Sequence, residues 1–202
     1  GLKNDDEDQI ASYTEDSKQH DSKTETFVAL MAKIDNWRWA GVPFFLRTGK
    51  RLKTRASEIV ITFKPIQHFI FDKTEKNNTL PNQLIIRLQP DEGLKILLMS
   101  KEPGPGGIRI SPSYLNLSFS DTFKNKIPDA YERLLMDVVR GNQTLFMRKD
   151  EVEAAWSWID PIINLIKKNN RLPETYTPKS WGPTSSFDLL KRHGFEWCEP
   201  HY

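Results

Sequence analysis

The order of apolar patterns along the chain predicts an α+β fold built on a large, mainly antiparallel sheet. Strand-like runs fill the first part of the sequence and helical periodicity appears later, an order that favours α+β over a parallel α/β sheet. The strands expected at 83–88 and 94–99 are joined by a connection too short for a parallel crossover, so we expect them to pair antiparallel. Since no Gly-rich loop joins a strand to a helix, a dinucleotide-binding fold is excluded from this chain.

The strand part of the sequence follows a polar stretch. Residues 1–23 have little periodicity and predict an extended or loosely ordered lead-in. Apolar runs bounded by turn residues predict strands at 27–34, 43–47, 58–64, 83–88, 94–99 and 113–120. In the third of these, Ile59, Ile61 and Phe63 alternate with Val60 and Thr62, so we expect one face of the strand to be drier than the other.

Two helices are predicted after the strands. The first runs over 130–140, with Asp129 as N-cap, Glu132 at capping-box spacing and Gly141 as the stop. The second starts after Asp150 and contains Pro161, which predicts a kink. Apolar residues at helical spacing predict a buried stripe on each helix: Tyr131, Leu134, Leu135, Val138 and Val139 on the first, and Val152, Trp156, Ile159, Ile163 and Ile166 on the second. The proline-rich tail after Pro173 predicts one short helix near 187–192.

Composition narrows the class of protein. The 202 residues are 28% charged and 38% hydrophobic with a net charge of +2, which gives no reason to expect nucleic acid as a partner. No apolar run approaches the roughly 20 residues that cross a bilayer, so no membrane association is expected. The single cysteine, Cys198, excludes an internal disulfide and suits the cytoplasm. The acidic start without methionine is unlike a signal peptide, and we expect a piece of a longer protein.

Hydrolytic and metal chemistry find little support. There is no Gly-x-Ser-x-Gly elbow, and the histidines are scattered through polar stretches at His20, His68, His193 and His201. No His/Cys pair has the spacing of zinc ligands. Carboxylates on both sides of Cys198 disfavour a thiolate there. We therefore expect no metal site and no nucleophile.

The cationic loop, residues 50–55, is the strongest candidate site. A strand ends at Thr48-Gly49, and Lys50, Arg51, Lys53 and Arg55 follow within six residues. Both cation types bind phosphate, lysine as a point charge and arginine as a bidentate fork. Gly49 would allow a close backbone approach. On these residues alone an anion site and an ordinary solvated turn remain equally open.

Several motifs in order resemble one family. They are Thr-Glu-Thr-Phe at 24–27, Arg-Thr-Gly-Lys-Arg-Leu at 47–52, Ile-Arg-Leu-Gln-Pro-Asp-Glu-Gly at 86–93, Asp-Ala-Tyr-Glu-Arg-Leu-Leu at 129–135, Phe-Met-Arg-Lys-Asp-Glu at 146–151 and Trp-Gly-Pro at 181–183. Together they resemble the C-terminal domain of glucose-6-phosphate dehydrogenase of the bacterial type. The resemblance places that domain at 24–202, after the lead-in.

The resemblance implies a dehydrogenase activity, and in the family the residues that perform its chemistry lie upstream of the region that this chain resembles. The family oxidises glucose 6-phosphate to 6-phosphogluconolactone in the pentose phosphate pathway. It passes the hydride to NADP held by an N-terminal Rossmann domain, and its catalytic histidine is upstream of this region. We therefore assign no catalytic and no coenzyme-binding residue here, and expect the isolated chain to be inactive. Whether the whole enzyme prefers NADP or NAD is left open.

Two site residues are implied by the motif. Lys50 matches the family lysine that reaches the glucose 6-phosphate site, and Arg55 matches a second cationic position. Their implied role is electrostatic holding of the sugar phosphate. Arg51 and Lys53 are expected to be solvated neighbours. A non-enzymatic anion-binding or oligomerisation module remains the alternative function.

The resemblance also implies an interface and argues against a second coenzyme. Family members pack helices on one side of the sheet and form dimers or tetramers through it, so the strands between 58 and 119 are candidates for the interface. The alternative is that these strands only pack against the helices of this chain. Some members bind a structural NADP, and Arg87 and Gln89 match positions used there. Ala56, Val60 and Leu97 replace the cations of those members, so no structural NADP is expected.

Overall fold

A computed structural model describes residues 11–18, 22–66, 79–105, 108–123 and 130–199. The chain divides into two compact units, Gly1–Thr54 with Pro128–Trp197 (unit 1) and Arg55–Ile127 with Cys198–Tyr202 (unit 2). The predicted Asp129 cap and three of the histidines, His20, His68 and His201, lie outside the described residues. So do most of the lead-in and residues 106–107.

The described elements follow the predicted order of strands and then helices. In chain order they are α1 (Tyr13–Asp16), β1 (Phe27–Ala32), β2 (Phe44–Gly49), β3 (Ser57–Thr62), β4 (Gln83–Gln89), β5 (Gly93–Lys101), β6 (Ile110–Ser118), α2 (Phe119–Thr122), α3 (Ala130–Arg140), α4 (Lys149–Lys168) and α5 (Thr184–Lys191). The pairings β1 with β2 and β3-β4-β5-β6 are all antiparallel. The α+β class is therefore confirmed, with the described strands distributed over two sheets.

Unit 1 contains the hairpin that carries the cationic loop. β1 and β2 pair from Phe27 opposite Gly49 to Ala32 opposite Phe44. Pro43 comes directly before β2, a position that needs no ladder N–H from it. The Trp39 and Phe44 rings meet edge to face at 5.4 Å, which packs the connection between the two strands against the start of β2.

The helices of unit 1 correct one expectation. α3 has the predicted bounds, but its apolar stripe is not buried: Tyr131 is 77% and Val139 80% exposed. On α4, Val152 and Trp156 are exposed, while Ile159, Ile163 and Ile166 are half-buried. Helical spacing shows which side chains share a face of the helix, but it does not show whether other residues of this chain pack against that face. The prediction of buried stripes is therefore wrong for the chain as it stands.

Unit 2 is a four-stranded sheet with one aliphatic face. Directly opposed residues of antiparallel strands share a face. The register aligns two rows on the same face: Ile59, Ile86, Leu94 and Leu117 in one, and Ile61, Leu84, Ile96 and Leu115 in the other. This aliphatic face is open, with Leu115 60% exposed. On β3, Ile59 and Ile61 are exposed and Val60 is half-buried.

The opposite face of this sheet is the better covered one. Ile85 and Leu97 are 6% and 5% exposed and form the core of the unit. Beside them the Lys95 ammonium lies 4.4 Å from the centre of the Tyr114 ring. Arg87 Nη2 donates to Asn116 Oδ1 at 3.0 Å. Across the described part of the chain, no helix combines the length and apolarity needed to cross a membrane.

Candidate functional site

The cationic loop begins where β2 ends in unit 1. The Lys50 N–H donates to the Thr26 carbonyl at 2.8 Å, so the hairpin pairing continues one residue past Gly49. A Cβ at position 49 would lie 2.7 Å from Phe27 Cδ2 and 3.2 Å from Leu52 Cδ2. Gly49 is therefore required by packing within the hairpin. This replaces the suggestion that the glycine makes room for a ligand.

Two of the loop's cations are held by neighbours in unit 1. Arg51 Nη2 pairs with the Asp16 carboxylate of α1, and Arg51 Nη1 donates to the Ala11 carbonyl at 3.3 Å. The Lys53 ammonium lies 5.9 Å from the centre of the Trp181 ring. Both side chains are exposed, so an ion pair such as that of Arg51 contributes about 0–1 kcal/mol. Both residues are therefore solvated, as expected, but each also has a partner in unit 1.

Lys50 and Arg55 differ from these two. Both side chains are exposed, and within the described residues neither the Lys50 ammonium nor the Arg55 guanidinium has a hydrogen bond, ion pair or ring contact. They are thus the cations of the loop that remain available to an anion from outside. Lys50 lies in unit 1 and Arg55 opens unit 2.

A segment near the C-terminus contacts the loop, and sequence reasoning missed it. We call residues 176–182 the tail brace. The Tyr176 hydroxyl lies 2.6 Å from the Lys50 carbonyl oxygen, Lys179 N–H donates to the Arg51 carbonyl at 2.8 Å, and Lys53 N–H donates to the Ser180 carbonyl at 3.0 Å. The backbone of the cationic loop is therefore bonded to the tail brace at three successive points.

Aromatic packing holds the tail brace against the hairpin. Gly182 lies against Phe27, where a Cβ would come within 2.3 Å of the ring. The guanidinium carbon of Arg47, on β2, is 4.9 Å from the Trp181 ring centre and 4.4 Å from that of Trp197. Stacking of this kind contributes about 0.5–2 kcal/mol, more where it is desolvated. The prolines and aromatic residues of the tail are the sequence feature that could have indicated this segment, but they do not show which residues it contacts.

Other polar side chains of unit 1 bond to or pack against neighbours in the same unit. A cavity of about 650 Å³ lies near the end of α3, lined in part by Asp137 and Asn142. Asn142 Nδ2 donates to Asp137 Oδ1 at 3.1 Å. His193 has its ring 5.9 Å from that of Phe45. The described residues hold no group of three or more His, Cys, Asp or Glu that could bind a metal ion.

The described strands do not have the arrangement of a dinucleotide-binding fold. Every strand pair among them is antiparallel, whereas a dinucleotide-binding fold needs parallel strands joined by helices. At the positions compared with a structural NADP site, Leu97 is apolar and buried, and Arg87 is bonded to Asn116. The absence of a structural NADP stays a prediction.

Known proteins resemble the chain along nearly all of its length. Residues 2–198 match the family model described as glucose-6-phosphate dehydrogenase, C-terminal domain. The chain is 54% identical over 188 residues to glucose-6-phosphate 1-dehydrogenase of Rhizobium meliloti, which covers 93% of this chain and 38% of that protein. It is 52% identical over 188 residues to the enzyme of Mycolicibacterium smegmatis, with the same coverage of both.

Solved structures agree with these relatives. A glucose-6-phosphate dehydrogenase in complex with its substrate glucose-6-phosphate has a TM-score of 0.82 and 32% identity, covering 93% of this chain and 38% of that one. The glucose-6-phosphate 1-dehydrogenase of Mycobacterium avium has a TM-score of 0.75 and 34% identity, covering 91% and 37%. The chain thus spans about 38% of the length of the curated relatives named above. It belongs to the glucose-6-phosphate dehydrogenase C-terminal domain family.

Proposed function

We propose that this chain is the substrate-contact and oligomerisation domain of a glucose-6-phosphate 1-dehydrogenase. The whole enzyme would oxidise glucose 6-phosphate to 6-phosphogluconolactone and pass the hydride to NADP in the cytoplasm. Family membership and relatives of that name support the proposal. Within the chain, residues 24–202 would form the domain and residues 1–23 a polar lead-in.

The observation that carries the proposal for the site is the difference among the loop's cations. Arg51 and Lys53 have partners in unit 1, whereas the exposed Lys50 and Arg55 have none among the described residues. Lys50 and Arg55 would hold the phosphate of glucose 6-phosphate, the ammonium as a point charge and the guanidinium as a fork. Their contribution is binding and orientation, so no proton or hydride transfer is assigned to them.

The remaining chemistry would come from the N-terminal Rossmann domain of the same polypeptide. NADP and the catalytic base would both belong to that domain. The open apolar stripes of α3 and α4, including Tyr131 and Trp156, support a partner that covers them. We expect the isolated 202-residue chain to give no glucose 6-phosphate-dependent reduction of NADP.

A second copy of the chain is the proposed occupant of the aliphatic face of unit 2. Two rows of Ile and Leu side chains cross all four strands on that face, and Leu115 is 60% exposed. A contiguous apolar surface of this kind is typical of a protein interface. A dimer, or a tetramer made of such dimers, would bury it. This assembly is also compatible with the alternative of a purely oligomerising, anion-binding module.

The test is a Lys50→Ala substitution in the full-length enzyme that carries this domain. Loss of a charge-assisted contact to phosphate should raise the KM for glucose 6-phosphate about tenfold to a hundredfold. The turnover number should change little, because Lys50 contributes uniform binding. Arg51→Gln is the matched control. It removes a charge from the same loop, but the Arg51 side chain is paired with Asp16, so KM should stay within about twofold.

Two results would contradict the proposal. An unchanged KM in Lys50→Ala would mean that the loop is solvated and binds no substrate. Equal increases of KM in Lys50→Ala and Arg51→Gln would mean that only the summed charge of the loop acts, with no specific contact at Lys50.

A further inference from the structure

Tyr176 is bonded to the backbone on both sides of the β2 end. Its hydroxyl lies 2.6 Å from the Lys50 carbonyl oxygen and 3.1 Å from the Thr26 carbonyl oxygen. The Lys50 N–H donates to that same Thr26 carbonyl at 2.8 Å. Since the hydroxyl has one hydrogen, it donates to one of these carbonyls at a time. The N–H and the C=O of Lys50 are therefore both restrained by one small network.

The position of this hydroxyl is set by packing. Tyr176 is half-buried, and its ring lies 5.4 Å from the Phe27 ring, centre to centre. Phe27 in turn is fixed between Gly49 and Gly182, each of which leaves no room for a Cβ beside it. The tyrosine thus restrains Lys50 from a part of the chain 126 residues away.

We propose that Tyr176 is a positioning residue for anion binding by Lys50. The inference rests on the function proposed above, in which Lys50 holds the sugar phosphate. A lysine side chain is a flexible four-carbon stem, so the direction in which its backbone is held decides where the ammonium can reach. Releasing the Lys50 peptide spreads the ammonium over more positions, and binding must then restrict it again.

The experiment is Tyr176→Phe in the full-length enzyme, which removes the hydroxyl and keeps the ring against Phe27. The KM for glucose 6-phosphate should rise about threefold to tenfold, the range for loss of one hydrogen bond. The turnover number and the KM for NADP should stay within about twofold. Ser185→Ala is the control. Ser185 Oγ donates to Glu174 Oε2 at 2.6 Å in the same tail, and this bond involves no residue of the cationic loop.

A double-mutant cycle separates positioning from a general structural effect. If Tyr176 acts through Lys50, Tyr176→Phe should have no further effect on KM in a Lys50→Ala background. The same factor in both backgrounds would overturn the inference, and so would an unchanged KM in Tyr176→Phe. If Lys50→Ala itself leaves KM unchanged, the proposed function of Lys50 fails and the positioning role with it. If only Tyr176→Phe is without effect, the role of Lys50 stands and the positioning role alone is wrong.

Discussion

Lys179 and Arg51 are joined by a backbone hydrogen bond of 2.8 Å, and both have positive φ angles, +63° and +50°. A left-handed conformation costs a non-glycine residue about 1–2 kcal/mol. A single backbone hydrogen bond contributes about 0.5–1.5 kcal/mol net, which does not offset two such residues. The turn in the cationic loop and the turn in the tail brace therefore depend on the packing around them, chiefly that of Phe27 with Gly182 and Tyr176.

The strain at Lys179 gives the first prediction. Its side chain is exposed, so substitutions there report on the backbone. Lys179→Gly should leave the free energy of unfolding within about 0.5 kcal/mol of the parent, because relief of φ strain is opposed by the entropy of glycine. Lys179→Val should lower it by about 1–2 kcal/mol more, since a β-branched residue is poorly tolerated at positive φ. Denaturant unfolding monitored by tryptophan fluorescence measures both.

Arg171→Val is the control for this comparison. Arg171 is also exposed, and its φ is not positive. The Arg171→Val substitution should therefore change the free energy of unfolding of the protein by no more than about 0.5 kcal/mol. Equal destabilisation by valine at 171 and 179 would show that the left-handed turn carries no measurable strain.

Gly182 gives the second prediction. Its φ is +106°, and a Cβ would lie 2.3 Å from Phe27 Cε2, so alanine meets both backbone strain and a ring that is itself packed. Gly182→Ala should lower the free energy of unfolding by about 2–4 kcal/mol. Gly141→Ala is matched, because φ is +68° and nothing lies within 4 Å, and its cost should be about 1 kcal/mol. Similar melting temperatures for the two variants would contradict the packing described here.

The helices show what the sequence can and cannot predict. The bounds of α3 were predicted because apolar residues recur at helical spacing and Gly141 follows. The start of α4 was predicted two residues late. At its N-cap the Arg148 N–H donates to Glu151 Oε2 at 2.9 Å, and arginine is not a residue that pattern rules recognise as an N-cap. Exposure of the apolar stripe was missed for a different reason, because periodicity carries no information on a covering partner.

The candidate site was predictable only in part. The end of β2 and the cations after it follow from local sequence, and the resemblance selected Lys50 and Arg55 among them. Their roles as phosphate ligands remain predictions. The tail brace was not foreseen, since Tyr176 and Lys50 lie 126 residues apart and meet through a main-chain carbonyl. Any residue can accept a hydrogen bond through its main-chain carbonyl, so the type of the accepting residue gives no indication of the contact.

The third prediction concerns structural NADP. We expect the purified chain to release no stoichiometric NADP on denaturation, because Ala56, Val60 and Leu97 offer no charge to its phosphates. Absorbance of the deproteinised supernatant at a nucleotide wavelength gives the ratio. The full-length enzyme loaded with NADP is the positive control. Recovery of nearly one NADP per chain from the 202-residue protein would refute the prediction.

The fourth prediction tests the aliphatic face of unit 2 as a dimer interface. Leu115 lies on that face in the row of Ile61, Leu84 and Ile96, so Leu115→Glu would place a charge in the proposed contact. Burying an unpaired carboxylate is strongly unfavourable, so the full-length enzyme should shift from dimer or tetramer to monomer at low micromolar concentration. Light scattering coupled to size-exclusion chromatography measures the mass.

The control for this shift carries the same charge on the other face. Thr62 is exposed, neighbours Ile61 on β3 and points to the opposite side of the sheet. Thr62→Glu should therefore leave the mass unchanged. Circular dichroism of both variants separates dissociation from unfolding. A Leu115→Glu enzyme that is folded and keeps the parent mass would exclude this face as the interface, because burying a carboxylate without a partner in the contact is strongly unfavourable.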